Sequence, residues 1–255
     1  MPPSVSVFGA AGFAGALAAR LLYRHPWFEL QALTARGDVG VRLDELYPYH
    51  RVPMTLEELD LDRHAEIDAA VVAYPHGAAA PLARAGLIED LVIDAKSGVS
   101  GAGRAATAKT HFSTVDENLN AYGVPRHRHT PEIEQELAAL GSDVQITFTP
   151  HLIPLDQGEL VSCYATLCDE EGLDDARALY QDAYSNEPFV ELTDSLPGVR
   201  DVRETNICRV SVHRDPRTGR VIAFGALDNL WKGAASQAIQ NLNLMFGRPE
   251  GEGIK

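Results

Sequence analysis

The sequence predicts an α/β protein: a doubly wound, Rossmann-like nucleotide domain followed by an α+β domain with a mainly antiparallel sheet. Three observations carry that prediction. The chain opens on strand, glycine turn, helix and strand. Beyond about residue 90, short strand patterns outnumber helical ones. A last amphipathic helix then follows the strands, with Ala234, Ala238, Leu242 and Met245 on one face.

Taken in order, Val5–Phe8 is an apolar strand that runs into GAAGFAG, and Phe13, Leu17 and Leu21 recur at helical spacing over 12–24. Phe28–Thr34 and Ala69–Tyr74 read as further strands, the latter ended by Pro75. A short helix over Ala79–Ala85 and a strand over Leu91–Ala95 follow. The second half offers strands at 144–149, 159–167, 207–213 and 221–227, with helices over 131–140 and 174–185. Thr130 suits an N-cap, Pro131 the first helical position and Gly141 the exit. The expected division is a dinucleotide-binding domain over 1–85, a substrate and dimerisation domain over 86–227, and a C-terminal segment, 228–255, that packs back on the first.

The 255 residues carry 22 Lys+Arg against 36 Asp+Glu, a net charge of −14. That balance argues against nucleic-acid or anionic-membrane partners. No apolar run approaches the ~20 residues that span a bilayer, and the N-terminus has no basic start, so a cytoplasmic location is expected. Cys163, Cys168 and Cys208 form no metal or CxxC spacing, and no metal is expected.

Gly9, Gly12 and Gly15 sit where a dinucleotide-binding turn needs glycine: for the tight turn, for close approach of a pyrophosphate, and for helix–strand contact. Their GxxGxxG spacing departs from the usual GxGxxG, and a plain structural turn is the alternative. Arg36, at the end of the second strand, suits a 2′-phosphate, which favours NADP over NAD; a solvated surface arginine is the competing reading. In RHRHTPEIE, His127, Arg128 and His129 precede a helix that carries Glu132 in its first turn. A histidine there can move a proton and an arginine can hold an anion, although turns often carry such residues without chemistry. SGVSGAGR, with Lys96 before it, is an anion-binding loop or a flexible turn. His76 stands at a strand end in a Pro-His-Gly turn.

Together GAAGFAG, YPHG, DAKSGVSGAGR, HFSTVDENLNAY, HRHTPEIEQEL, FTPHLIP, EPFV and DNLWKGAASQAIQNLNLMFG resemble, in order, the N-acetyl-gamma-glutamyl-phosphate reductase family. The resemblance implies a semialdehyde dehydrogenase type of second domain and an NADPH-dependent reductive dephosphorylation in arginine biosynthesis. In that chemistry a cysteine thiolate attacks an acyl phosphate and hydride reduces the thioester to a semialdehyde. It implies proton transfer by His129, with Glu132 as partner. It implies a phosphate and substrate loop at Ser97 and Gly98 with Arg128, and cofactor contacts from Gly9, Gly12, Gly15, Asn229, Gly233 and Gln237. It also implies a homo-oligomer.

One departure is large. VVAYPHGAAAPLARAGLIEDL joins a cofactor strand directly to the tail of the helix that should begin at the nucleophilic cysteine. The gap is on the order of 80–100 residues, about one wound half of such a sheet. Gln157, Ser236 and Trp231 are smaller departures. The sequence therefore leads us to expect a chain with impaired catalysis, or a non-catalytic NADP-binding or assembly protein, with an exposed strand edge near 69–74 that lowers stability or promotes association.

Overall fold

The computed structural model describes residues 1–60, 67–71, 83–168 and 175–254. The chain runs through two sheets. The first comprises β1 (Ser4–Phe8), β2 (Glu29–Thr34), β3 (Leu56–Glu57) and β4 (Ala69–Val71), all parallel, in the order β3-β2-β1-β4. Between β1 and β2 lies α1 (Phe13–Tyr23), and α2 (Leu43–Leu46) is a single turn before β3. A parallel sheet needs cover, and α1 provides it. Its Ala16, Leu17, Ala18, Leu21 and Leu22 are buried against Val5, Val7 and Leu33.

The second sheet is built from β5 (Ile88–Gly98), β6 (Asn120–Ala121), β7 (Ile146–Ile153), β8 (Glu159–Leu167), β9 (Val190–Leu192), β10 (Cys208–Arg214) and β11 (Val221–Leu227). Its order is β6-β7-β5-β8-β11-β10-β9, antiparallel except for the β5–β7 and β9–β10 pairs. The turn α3 (Phe112–Val115) precedes β6, and α4 (Thr130–Ala139) and α5 (Ala176–Tyr184) pack on one face of the sheet. Ile133, Leu137, Ala176 and Tyr180 close a core with Leu91, Ile93, Cys163, Ala165, Val210 and Ala223. Alternation along β5 from Leu91 and along β8 from Cys163 places these inward residues.

Several local expectations need correction. His129, not Thr130, is the N-cap of α4, and no side chain caps it; Thr130 is already helical and Pro131 lies in the first turn. The strand expected at 91–95 runs on to Gly98, because β7 and β8 pair with it along almost its whole length. Ser97 and Gly98 are therefore strand residues, and Val99–Ala102 is a 3₁₀ turn rather than a flexible loop. Asp175 caps α5, its carboxylate accepting from Arg177 N at 2.8 Å. His76, Pro75, the end of the strand expected at 69–74 and most of the helix expected at 79–85 lie outside the described residues.

The C-terminal segment returns to the first sheet. A π-helical turn, Trp231–Ala235, leads into α6 (Ser236–Met245), whose Ala238, Ile239 and Leu242 join the α1 core together with Ile254. A latch holds the tail. Asn243 Nδ2 donates to the Glu250 and Glu252 carbonyls at 3.1 and 2.8 Å, and the Glu252 carbonyl also meets His25 Nε2 at 2.9 Å. His25 Nδ1 accepts from Trp27 N and Phe28 N at 3.2 Å each, which places the proton on Nε2.

Burial lowers the His25 pKa, against the opposing pull of Glu252. The neutral ring therefore stabilises the fold above its unfolded value of ~6.5, and that contribution is lost as pH falls through the lowered folded value. The stability that His25→Gln removes should accordingly shrink from pH 7.5 to pH 5. Urea unfolding of both proteins at the two pH values measures this; an unchanged difference would refute the latch.

Candidate nucleotide and substrate site

The glycine turn lies at the carboxyl ends of β1 and β2. Gly9 has φ +87°, and the N–H groups of Gly9 and Ala10 both donate to Thr34 O at 2.9 Å, tying the turn to β2. A Cβ on Gly15 would lie 2.9 Å from the Gly9 carbonyl carbon and 3.0 Å from Ala10 Cα. No backbone can yield that much, so glycine is what lets α1 seat against the turn. Gly12 is the N-cap of α1 and uses no side-chain bond, which leaves the first-turn N–H groups facing outward from an 11-residue helix. This cradle fits the pyrophosphate of a dinucleotide.

Side chains from three segments gather around it. Tyr47 donates its hydroxyl to Ala11 O at 2.7 Å. The Arg104 guanidinium lies 5.8 Å from the Tyr47 ring centre and is ion-paired with Asp38. Asp38 is two residues past Arg36, which is exposed at the end of β2. The far end of the 97–104 segment thus touches the nucleotide domain, a junction that the sequence pattern alone did not show. Tyr47 and Asp38 carry no recognisable motif; their role comes from the fold.

Asn229, Gly233 and Gln237 occupy different settings. Asn229 is buried, its Oδ1 accepting from Gly158 N at 2.6 Å and its Nδ2 donating to Ser100 Oγ at 3.0 Å. It joins the 3₁₀ turn after β5, the turn before β8 and the start of the returning helix. Gly233 packs on Asp228 O and the Leu227 side chain, where a Cβ would fall at 3.2 Å from each. Gln237 donates to Asn241 Oδ1 at 2.8 Å along its own helix.

The histidine segment lies over the edge of the second sheet on its helix-covered face. His127 stacks edge-on against His129, Phe148 and Tyr122, at ring separations of 4.8, 5.2 and 5.5 Å. Its Nδ1 accepts from His129 N at 3.2 Å, and burial, then Arg128, lowers its pKa. Arg128 is exposed, whereas His129 and Glu132 are half-buried at the start of α4. Nearby, Ser97 is buried and Gly98 packs so closely on the Asp156–Gln157 backbone that a Cβ would meet it at 2.8 Å.

The three thiols stand apart from activation. Burial pushes Cys163 up to about 12 and Cys208 up to about 11. Cys168 is exposed, with its thiol directed at Gly86 O at 3.4 Å. No cluster of three His, Cys, Asp or Glu able to hold a metal occurs among the described residues.

The family model for the semialdehyde dehydrogenase NAD-binding domain matches residues 4–99, and that for the semialdehyde dehydrogenase dimerisation domain matches 75–229. N-acetyl-gamma-glutamyl-phosphate reductase from Pelotomaculum thermopropionicum is 36% identical, with 100% of this chain and 98% of that protein covered. The enzyme of the same name from Desulforamulus reducens is 38% identical, with 96% of each covered. The chain belongs to the N-acetyl-gamma-glutamyl-phosphate reductase family. The aligned length with the Pelotomaculum reductase is 340 positions, against the 255 residues of this chain.

Solved structures agree on the fold. Aspartate semialdehyde dehydrogenase II from Vibrio cholerae superposes with a TM-score of 0.69 at 15% identity, covering 97% of this chain and 99% of that one. The Candida albicans aspartate semialdehyde dehydrogenase, solved with NADP, superposes at 0.63 and 15%, covering 92% and 96%. The family assignment indicates a nicotinamide cofactor for the first sheet, a small-molecule substrate, and oligomerisation through the second domain. No helix among the described residues is long and apolar enough to cross a membrane.

Proposed function

We propose that this member of the reductase family binds NADP(H) at the Gly9–Gly15 turn and does not complete the acyl-phosphate reduction. The observation that carries the proposal is the state of its thiols. The route needs a thiolate to form the thioester, and an activated thiol needs a helix N-terminus or a cationic neighbour. Cys163 and Cys208 are buried in strands, where burial outweighs the pull of Lys232 on Cys208 and raises both pKa values, and Cys168 lies just past β8 at the surface.

An internal loss explains the rest. The aligned length exceeds the chain by 340 − 255 = 85 positions. The two family models overlap over 75–99, where the sequence joins a cofactor strand to a catalytic-helix tail. On this reading His129 and Glu132 keep the place of the proton-transfer pair, and Ser97, Gly98 and Arg128 that of the substrate anion site, without a nucleophile between them. Gly9, Gly12 and Gly15 would receive the pyrophosphate, and Arg36 the 2′-phosphate. Asn229 would act by holding the Ser100 and Gly158 turns, with Gly233 and Gln237 along the helix that closes the domain. The 86–227 region would form the subunit contact.

NADPH fluorescence titration together with an N-acetylglutamate-semialdehyde oxidation assay, with NADP and phosphate, tests this. Binding without turnover is expected, and measurable turnover would overturn the claim that the thiol is indispensable. Arg36→Ala should weaken NADPH about tenfold while leaving NADH nearly unchanged, as loss of one charge-assisted phosphate contact implies. Equal weakening of both would remove the assignment of NADP.

A further inference from the structure

Arg104 closes the 97–104 segment of the second domain, yet its guanidinium lies on the first. It is ion-paired with Asp38, beyond the end of β2, and its central carbon stands 5.8 Å from the Tyr47 ring centre. Tyr47 donates to Ala11 O at 2.7 Å, inside the glycine turn. Thr34 O, four residues before Asp38, accepts from Gly9 N and Ala10 N at 2.9 Å each. The cation therefore stands beside the crevice between the pyrophosphate cradle and the segment after β2. A doubly wound fold seats the adenosine ribose of a dinucleotide there. The backbone leading to Arg104 is held from the other side, where Ser100 of the preceding 3₁₀ turn accepts from the buried Asn229 at 3.0 Å.

Asp38 is an unexpected neighbour for a ribose that carries a phosphate. A carboxylate near the end of β2 suits a free 2′-hydroxyl and repels a 2′-phosphate. Here Arg104 neutralises it. The two side chains are partly exposed, at 37% and 35%, and an exposed pair contributes only ~0–1 kcal/mol, so it opens at little cost. The guanidinium carries several N–H donors, and among the described residues only Nη1 is bonded, to Asp38. A phosphate monoester brings more charge and more acceptor oxygens to that fork than one carboxylate does. Asp38 also has φ +59°, in the left-handed region that Asp and Asn tolerate better than other side chains.

We propose that Arg104 is a specificity-determining residue that binds the ribose 2′-phosphate together with Arg36, and that Asp38 holds the guanidinium at the crevice until that phosphate displaces it. The inference rests on the proposed seating of NADP(H) at the Gly9–Gly15 turn, and it assigns a residue of the second domain to the cofactor. The far end of the 97–104 segment then serves the cofactor while its start, Ser97 and Gly98, serves the substrate. A cofactor that carries the 2′-phosphate ties the two domains through Arg104. One without it leaves the Asp38 pair closed.

Fluorescence titration of the full chain with NADPH and with NADH tests it. Arg104→Gln should weaken NADPH about tenfold, the worth of one charge-assisted contact, and leave NADH nearly unchanged. Asp38→Asn keeps a residue that tolerates positive φ and removes the competing carboxylate. That variant should bind NADPH about fivefold more tightly, because no ion pair has to open. It also decides the matter should Arg104→Gln misfold. Three results would each overturn the proposal: an NADPH affinity that survives Arg104→Gln, equal weakening of both cofactors in a variant folded by circular dichroism, or an Asp38→Asn protein that binds NADPH no better than its parent. An unaltered protein that binds NADPH no better than NADH would instead refute the NADP reading itself, so the two failures are told apart.

Discussion

Gly15→Ala is expected to destabilise the protein by about 2 kcal/mol, with a lower unfolding midpoint in urea. Alanine in a helix interior is ordinarily worth ~1 kcal/mol more than glycine, so the expected sign runs against propensity. The new methyl would sit 2.9 Å from the Gly9 carbonyl carbon and 3.0 Å from Ala10 Cα. Overpacking of this kind costs ~1–3 kcal/mol and more where only backbone can move. Gly12→Ala is the control, since its Cβ would meet only Gly9 O, at an ordinary 3.5 Å; it should cost less than about 1 kcal/mol. The Gly15 variant should also lose NADPH affinity, because the turn and the first helical turn would separate. A Gly15→Ala protein as stable as its parent would show that α1 does not depend on this contact.

Asn229→Ala should cost about 3 kcal/mol. It removes two buried bonds, from Gly158 N at 2.6 Å and to Ser100 Oγ at 3.0 Å, and leaves a buried backbone donor unpaired, a loss of ~1–3 kcal/mol by itself. Ser100→Ala alone should cost less, and the double variant should show a coupling of about 1 kcal/mol in a double-mutant cycle. Additive effects would mean that the two turns are held by their own packing. The amide thus explains in structural terms why an asparagine stands at the start of the returning segment: it fastens the turn after β5 to the turn before β8.

Parts of this arrangement were legible in the sequence because they depend on local pattern. The alternation over 159–167 and 221–227 marks strands whose observed limits are the same. Glu159, Val161, Cys163 and Ala165 fall on one face by that alternation. Thr130 is a good capping residue, but its helix begins one residue earlier than the apolar pattern shows. Serine and glycine over 97–104 are compatible with a flexible turn as well as an anion-binding loop. Two partner strands and a buried asparagine hold the first half of that segment instead.

By itself the sequence determined the two-part α/β and α+β plan, the glycine turn and the family motifs. These follow from residue spacing along short segments, where backbone sterics and hydrophobic periodicity act over a few neighbours. Only the tertiary structure decided that Arg104 meets Asp38 and Tyr47, that Asn229 binds across 129 residues to Ser100, and that Glu159 pairs laterally with Ser97. Such contacts join positions far apart in the chain, and strand register and helix seating set them. Those are properties of the packed whole, because each sheet's pairing is fixed by which faces can be buried together.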